Sequence, residues 1–318
     1  LPWFSRQARF LPWRKKQSAD SKTRKKAGHS VGESRTEYLT SGNRDPYRVL
    51  VSEIMLQQTQ VDRVIPRYKE FLDRWPTVQT LAGADQYEVL IFWKGLGYNR
   101  RARFLHQTAK AVVDTHDGVF PQTKKELLQL PGIGEYTASA ICVFAYGQDL
   151  AVLDTNVRRV LSRVFLGTES IDQSQSMLLE VADQVIPKGQ SDPWHQAIMD
   201  LGATVCQAKT ARCVDCPLQS VCVANVSAKS SNQTYDQVLK ARTKSTPQKS
   251  VQKFETTDRY FRGRIIDELR EGPQHLSDLR LILEKQHNLS DRARWGRLVE
   301  SLVIDGLIQV NGATASLA

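Results

Sequence analysis

The sequence predicts an all-α core followed by a small winged-helix-like domain near the C-terminal end. Between residues 45 and 224, helical segments of 10–17 residues are separated by short breaks at glycine and proline. Alternation of apolar and polar residues, which is typical of strands, is nearly absent there. After residue 254, three helical segments precede two short apolar runs around an Asn-Gly turn.

The N-terminal elements are interrupted by a polar stretch. Residues 1–14 are interpreted as the end of a helix that runs into Leu11–Arg14. Residues 15–44 are basic at their start and poor in apolar residues, so we expect a flexible insertion there. Asp45 is a plausible helix cap with Pro46 at the first helical position, and the helical core is predicted over 45–224.

The C-terminal third divides into a predicted linker and a predicted domain. Residues 225–253 are rich in Ser, Lys and Gln and are typical of a basic linker. Residues 254–318 offer helices near 256–271, 276–287 and 291–305, followed by a hairpin. This order predicts the winged-helix-like domain.

The charge of the chain indicates its class of partner. The sequence carries 44 Lys and Arg against 34 Asp and Glu, a net charge of +10. A polyanion such as nucleic acid is the obvious partner, although many basic proteins bind none. No helix with a wide apolar face suggests a membrane surface, and no stretch of 18 residues lacks charge. We therefore expect a partner other than a membrane.

The segment Leu130–Gly134 reads Leu-Pro-Gly-Ile-Gly between two predicted helices. Gly132 and Gly134 allow a tight turn, and the amides that open the next helix could bind a phosphate. An ordinary turn between helices is the alternative. The pattern is typical of the helix-hairpin-helix, which clamps the DNA backbone without regard to sequence.

Two carboxylates are candidates for acid chemistry. Asp154 follows the turn by 20 residues and is either a simple helix cap or a group that stabilises positive charge on a deoxyribose. Glu53 lies in an apolar, amide-bearing helix and is either solvated or a partly buried proton donor. Two carboxylates in different settings are the parts needed to break a glycosidic bond.

Four cysteines cluster at the end of the predicted core, namely Cys206, Cys213, Cys216 and Cys222. Their close spacing in a long chain argues for metal rather than disulfides. Four thiolates suit zinc or an iron–sulfur cluster equally, and the residues alone do not decide between them. Cys142 lies in an apolar helix and is predicted to be a core residue.

Six ordered segments resemble the MutY-type adenine DNA glycosylases of the helix-hairpin-helix superfamily. They are SEIMLQQTQV, GLGY, LPGIGEYTASAI, LDTNVRRVL, QAIMDLGATVC and the cysteine spacing. The resemblance covers residues 45–224 and Leu11–Arg14. It implies a two-lobed fold with DNA in the cleft, and a 4Fe–4S cluster on the four cysteines. We accordingly expect a cytoplasmic, nucleoid-associated prokaryotic monomer that binds double-stranded DNA at a mispaired or damaged site.

The resemblance also implies roles for individual residues. Glu53 protonates the extruded adenine, Asp154 stabilises the sugar cation, and Tyr136 and Asn156 hold Asp154 and the sugar. Gln196 contacts the adenine edge, while Trp13 and Arg14 line its pocket. Gln58 and Tyr98 enter the base stack, with Thr59 and Leu96 near the orphaned base. Leu56 belongs to the same base-contacting stretch.

Several residues refine or limit this assignment. Tyr136 stands where endonuclease III enzymes have the Schiff-base Lys, so a monofunctional enzyme that leaves an abasic site is expected. Thr155 stands where many MutY proteins have Gly, and residues 254–318 are too few for their Nudix-like domain that recognises 8-oxoguanine. The alternatives are a thymine or uracil glycosylase acting opposite guanine, and a non-catalytic cluster-bearing DNA-binding regulator.

Overall fold

The computed structural model describes residues 1–15, 44–169, 173–245 and 253–318. Helices predominate, which confirms the predicted all-α core. The chain forms two compact units. The first comprises Leu1–Leu50, Gln122–Leu128 and Gly134–Pro247, and the second comprises Val51–Pro121, Gln129–Ile133 and Gln248–Ala318.

The helices are numbered in chain order. They are α1 (Pro2–Gln7), α2 (Pro46–Leu56), α3 (Val61–Arg74), α4 (Val78–Ala82), α5 (Gln86–Phe92), α6 (Arg100–His116), α7 (Lys124–Leu127), α8 (Glu135–Phe144), α9 (Thr155–Leu161), α10 (Gln175–Val185), α11 (Ser191–Thr204), α12 (Val223–Ser230), α13 (Tyr235–Ser245), α14 (Asp258–Leu269), α15 (Leu276–His287) and α16 (Arg292–Ile304). Short 3₁₀ helices lie at Pro12–Arg14, Cys213–Asp215 and Phe254–Thr256, and a π-helical segment, Ser162–Leu166, continues α9. In the part of the chain described, no helix is long and apolar enough to cross a membrane.

The structure has a helix start at the position that the sequence predicts. Helix α2 begins at Pro46, and the Asp45 carboxylate accepts a hydrogen bond of 2.8 Å from the Tyr47 amide. Of the predicted insertion, residues 16–43 lie outside the described residues. Arg44, which was assigned to that insertion, is buried and forms an ion pair with Asp192. The C-terminal end of the predicted insertion therefore belongs to the packed part of the first unit.

The expectation of a linker over residues 225–253 is wrong for its first part, because α12 and α13 occupy most of residues 223–245. Ala224 and Ala228 lie one turn apart on α12, and Tyr235 and Leu239 lie one turn apart on α13. These four side chains are buried together with Ala211. The apolar residues of these helices are small or isolated, so their helical spacing is hard to recognise in a segment that is rich in Ser and Lys.

The C-terminal residues form the predicted three helices and hairpin. Strands β2 (Ile308–Asn311) and β3 (Thr314–Leu317) pair antiparallel, with Ile308 opposite Leu317. A short strand that was not predicted, β1 (Gln274–His275), adds to the other edge of β3. The helices enclose a small apolar core that includes Ile265, Leu269, Leu283 and Leu302. We call residues 253–318 the C-terminal domain.

Candidate active site

Asp154 caps the N-terminus of α9 in the first unit. Its Oδ1 atom accepts a hydrogen bond of 2.6 Å from the Val157 amide, and its Oδ2 atom accepts one of 3.0 Å from the Asn156 side chain. Burial raises the pKa of Asp154, and these hydrogen bonds oppose that rise. The two sequence interpretations of Asp154 are thus compatible, since the carboxylate is a cap that remains half-buried beside Asn156.

Arg159 holds Asn156 in turn. Its Nη2 atom donates to the Asn156 side-chain oxygen at 2.7 Å and to the Gly202 carbonyl at 2.7 Å, and its Nε atom donates to the Cys206 carbonyl at 2.9 Å. A Cβ atom on Gly202 would lie 2.7 Å from that of Asn156, so α9 and α11 approach too closely for any larger residue. This chain of contacts joins Asp154 to the start of the cysteine loop.

His195 supports the segment that leads into Asp154. The Val152 amide donates to its Nε2 atom at 2.9 Å, so its Nδ1 atom carries the proton and donates to the Ser191 carbonyl at 2.7 Å. Burial lowers the pKa of His195 to about 4. The ring is therefore neutral near neutral pH and fixes the backbone two residues before Asp154.

Gln196 is buried on α11, one helical turn before Asp200. The carboxylate of Asp200 is fully buried and accepts two hydrogen bonds from the Arg14 side chain, at 2.8 and 2.9 Å. It accepts two more from Arg9, one of 2.6 Å from the side chain and one of 2.9 Å from the backbone amide. Trp13, in the same 3₁₀ helix as Arg14, is also buried. Of the residues predicted to line the adenine pocket, Gln196 lies on α11 and Arg14 is bound to α11 through Asp200, an acid that the sequence did not single out.

Tyr136 is half-buried on the first turn of α8 and also belongs to the first unit. The first unit therefore contains Trp13, Arg14, Tyr136, Asp154, Asn156 and Gln196, together with the four clustered cysteines.

Glu53 belongs to the second unit and lies near the C-terminal end of α2. Its side chain is only 8% exposed, which favours the buried acid over the solvated residue. Leu56 ends the helix, and Gln58 adopts a left-handed backbone conformation with φ of 56° and an exposed side chain. The helix thus ends where the chain turns to present Gln58.

Arg101 organises this turn and was not identified from the sequence. Its guanidinium donates to the carbonyls of Ile54, Met55 and Gln57 at 2.6–3.0 Å. It also donates to the carbonyls of Leu96 and Gly97 at 2.8 and 3.0 Å, and to the Thr59 hydroxyl at 3.0 Å. The two segments predicted to enter the base stack are therefore held together by one buried cation.

Tyr98 ends the GLGY segment and is 36% exposed, with φ of 47°. The Thr59 hydroxyl lies 3.3 Å from the Leu96 carbonyl, so the structure brings together the two residues predicted to lie near the orphaned base. Gln58, Thr59 and Tyr98 thus lie in one region of the second unit, with Leu96 buried beside Thr59.

Gly132 and Gly134 have different structural requirements. Gly132 has φ of 75°, and a Cβ atom there would lie 2.5 Å from that of Phe104. Gly134 caps α8 with an extended backbone, and a Cβ atom would enter open space. Gly132 is required by the fold itself, whereas the backbone at Gly134 places no such demand and borders open space at the N-terminus of α8.

The four clustered cysteines line one pocket of the first unit, together with Arg163 and Tyr235. Burial raises the pKa of both Cys213 and Cys216 to about 11, and neighbouring cysteines add to the rise. Within residues 1–15, 44–169, 173–245 and 253–318, no three His, Cys, Asp or Glu side chains converge closely enough to hold one metal ion. Cys142 is buried apart from this pocket, as predicted for a core residue.

Arg163 stabilises the cysteine loop and was also missed from the sequence. It is 1% exposed and forms a two-point ion pair with Glu169 at 2.8 and 3.0 Å. It donates to the carbonyls of Gln207 and Ala208, next to Cys206. The Tyr235 hydroxyl donates to Glu169 at 2.5 Å, so α13 completes this network.

Comparison with known proteins places these features in a family. Residues 51–187 match the HhH-GPD superfamily, described as base excision DNA repair proteins. The chain is 35% identical to an adenine DNA glycosylase of Mycolicibacterium smegmatis over 309 residues, which is 97% of this chain and 91% of that relative. It is 40% identical to the human adenine DNA glycosylase over 227 residues, 70% of this chain and 38% of the human protein.

Solved structures support the same fold. A thermostable thymine-DNA glycosylase matches with a TM-score of 0.55 and 26% identity, over 68% of this chain and 88% of that chain. A covalent complex of endonuclease III with DNA matches with a TM-score of 0.51 and 25% identity, over 57% of this chain and 85% of that chain. The chain therefore belongs to the adenine DNA glycosylase family, within the HhH-GPD superfamily of base excision repair proteins.

Proposed function

We propose that this protein is a monofunctional DNA glycosylase that removes adenine mispaired with 8-oxoguanine or guanine. It acts as a monomer on double-stranded DNA. The observation that carries this proposal is the carboxylate of Asp154, which caps α9 and is hydrogen-bonded and half-buried, in a chain that matches adenine DNA glycosylases over nearly its whole length.

The proposed reaction divides its chemistry between two acids. Glu53 donates a proton to a ring nitrogen of the extruded adenine, which makes the base a better leaving group. The bond from deoxyribose to adenine breaks with its electron pair on the base, and Asp154 stabilises the resulting oxocarbenium-like cation. A water molecule then adds its oxygen to the sugar carbon and returns a proton to Glu53, leaving free adenine and an abasic site.

The surroundings of Asp154 suit its proposed role. Asn156 and the Val157 amide fix the carboxylate, so it stabilises the cation without having to reorganise. Tyr136 supplies no amine for a Schiff base, so strand cleavage by β-elimination is not expected. The phosphate backbone is proposed to approach the open N-terminus of α8 beside Gly134.

We infer that Cys206, Cys213, Cys216 and Cys222 hold a 4Fe–4S cluster. The donor set fits, because four thiols line one pocket, yet among the described residues no group of ligands converges on a single ion. In a cluster each thiolate binds a different iron, so the sulfur atoms need not converge. Bound there, the cluster would fix the loop and help it dock on DNA.

The proposed function is tested with labelled duplexes that contain A opposite 8-oxoguanine, A opposite G, T opposite G, or U opposite G. We expect cleavage of the A strand only after hot alkali. Glu53→Gln should lower the single-turnover rate about 10²–10⁴-fold, because the proton donor is lost, while DNA affinity persists. Glu70→Gln, an exposed acid paired with Arg67 on α3, is the matched control and should react as the wild type.

The alternative is removal of thymine or uracil opposite guanine. The structural match to a thymine-DNA glycosylase favours it, although the identity of 26% is lower than that to the adenine enzymes. Cleavage confined to T or U strands would establish this alternative. If the protein binds DNA but releases no base from any of these duplexes, the non-catalytic DNA-binding regulator is the only remaining hypothesis.

A further inference from the structure

We propose that the C-terminal domain contacts the base opposite the excised adenine through Arg259 and Phe254, which extend the surface formed by Tyr98. This inference rests on the proposed function, in which Tyr98 enters the base stack. We call Tyr98, Phe254 and Arg259 the opposite-base platform. The proposed ligand is a purine in double-stranded DNA, left unpaired when the adenine is extruded.

The platform is built from two parts of the second unit. The Arg259 guanidinium donates a hydrogen bond to the Tyr98 hydroxyl and lies 5.1 Å from the centre of its ring. The same guanidinium lies 4.8 Å from the ring centre of Phe254, which is 47% exposed. Among the described residues, Tyr98 accepts the only hydrogen bond that Arg259 donates. Its remaining donors are therefore available on an exposed side chain.

Further contacts fix the C-terminal domain beside the GLGY segment. Arg270, only 8% exposed, donates to the side chain of Asn99 at 2.9 Å and to the Leu90 carbonyl at 3.2 Å. Arg259 of α14 and Arg270, the residue that follows this helix, thus hold the consecutive residues Tyr98 and Asn99. The C-terminal domain therefore contacts Tyr98, the residue that is predicted to enter the base stack.

The C-terminal end of the domain is anchored as well. Arg103 of α6 donates to the Asp305 carbonyl at 2.6 Å. Gln86 of α5 donates to the carbonyls of Gly306 and Ala318, both at 3.1 Å. Contacts at both α14 and the strand end hold the domain in one orientation, which a specificity contact requires.

The chemistry of the platform suits an unstacked purine. Aromatic rings and guanidinium planes stack on bases, and a guanidinium donates in pairs to the acceptors on a guanine edge. 8-Oxoguanine has a carbonyl at C8 that guanine lacks, and its N7 atom is an N–H donor, so a guanidinium can donate to its O6 or O8 carbonyl but not to the O6 and N7 pair that guanine offers. A platform with a cation and two aromatic rings therefore suits an unstacked purine that presents carbonyl acceptors, as 8-oxoguanine does.

The test uses the full chain and four duplexes in which adenine lies opposite 8-oxoguanine, guanine, thymine or an abasic analogue. Single-turnover excision rates are measured at saturating enzyme for wild type, Arg259→Ala, Arg259→Lys and Phe254→Ala. Arg297→Ala is the matched control, because it removes an exposed cation of the same domain that has no contact with Tyr98 in the described structure. Thermal unfolding of each variant checks that it is folded.

We expect Arg259→Ala to lower the rate opposite 8-oxoguanine about 10-fold or more relative to the rate opposite the abasic analogue. Arg259→Lys should not restore this ratio, since an ammonium neither stacks nor donates in a planar pair. Phe254→Ala should lower the ratio less, and Arg297→Ala should leave it unchanged. Equal effects on all four duplexes, or no effect, would overturn the inference while leaving the proposed function intact. Wild-type protein that releases only thymine or uracil would overturn both.

Discussion

Two buried arginines, Arg101 in the second unit and Arg163 in the first, organise functional loops in different ways. Arg101 hydrogen-bonds to five carbonyls and one hydroxyl, and none of these partners is an acid. Burial lowers its pKa to about 10. Arg163 is paired with Glu169, and although burial opposes the charge, this acid raises the pKa of Arg163 above its ordinary value.

The difference shows two ways to stabilise a cation under a loop. At Arg101 the carbonyl dipoles of the two loops stabilise the buried positive charge, and they do so without a negatively charged partner. At Arg163 an acid outside the cysteine loop neutralises the charge, and the loop carbonyls are added to a pair that is already complete. Substitutions at the two sites should therefore lower the free energy of unfolding for different reasons.

The largest effect is expected at the ion pair. Arg163→Met leaves Glu169 without its cation, and we expect the free energy of unfolding to fall by about 4 kcal/mol. The double variant Arg163→Met/Glu169→Gln should be less destabilised than Arg163→Met alone, because no uncompensated charge remains. Urea unfolding followed by circular dichroism measures both. A double variant that is less stable than the single one would contradict this account of the site.

A smaller loss is expected at Arg101. Arg101→Met should lower the free energy of unfolding by about 3 kcal/mol, because several loop carbonyls lose their donor. Arg101→Gln should recover part of this loss, since a neutral donor can serve carbonyls, whereas Arg163→Gln should gain little over Arg163→Met. The same urea measurements apply. If Arg101→Gln and Arg101→Met lower the free energy of unfolding equally, the loops require the charge of Arg101 rather than its hydrogen-bond donors.

The smallest effect concerns pH and two buried histidines, one in each unit. The pKa of His195 is about 4 in the folded chain and about 6.5 when unfolded, so the unfolded state binds more protons below pH 6.5. Stability from this group is complete above that pH and is lost as pH falls toward 4. We expect a loss of about 1 kcal/mol at pH 5.5 relative to pH 7.5.

His106 provides the comparison within the second unit. Burial also lowers its pKa, but its Nε2 atom faces the Ala84 carbonyl at 3.0 Å, so protonation keeps that hydrogen bond. At His195 protonation would turn an acceptor of the Val152 amide into a donor. His195→Gln should therefore reduce the acid-dependent loss of stability more than His106→Gln does. Urea unfolding at pH 5.5 and 7.5 tests this, and equal reductions would contradict it.

Local sequence signals predicted the parts that are defined by short-range chemistry. The helix start at Asp45 and Pro46, the hairpin around Asn311 and Gly312, and the cap at Asp154 are each set by residues within a few positions. The linker prediction failed because α12 and α13 present only small or isolated apolar residues to their core. Their stability depends on packing, which composition does not reveal.

The sequence by itself determined that the chain forms an α-helical glycosylase core, with an acid that caps a helix, four clustered cysteines and a three-helix domain with a hairpin. Those features depend on helical periodicity, turn residues and ordered motifs. Only the tertiary structure decided the partners of the buried charges. Arg101, Arg163 and Asp200 resemble surface residues in the sequence, because a charged side chain carries no local mark of the carbonyls or acids that will surround it. The contact of Arg259 with Tyr98, 161 residues apart, arises only when the chain is folded.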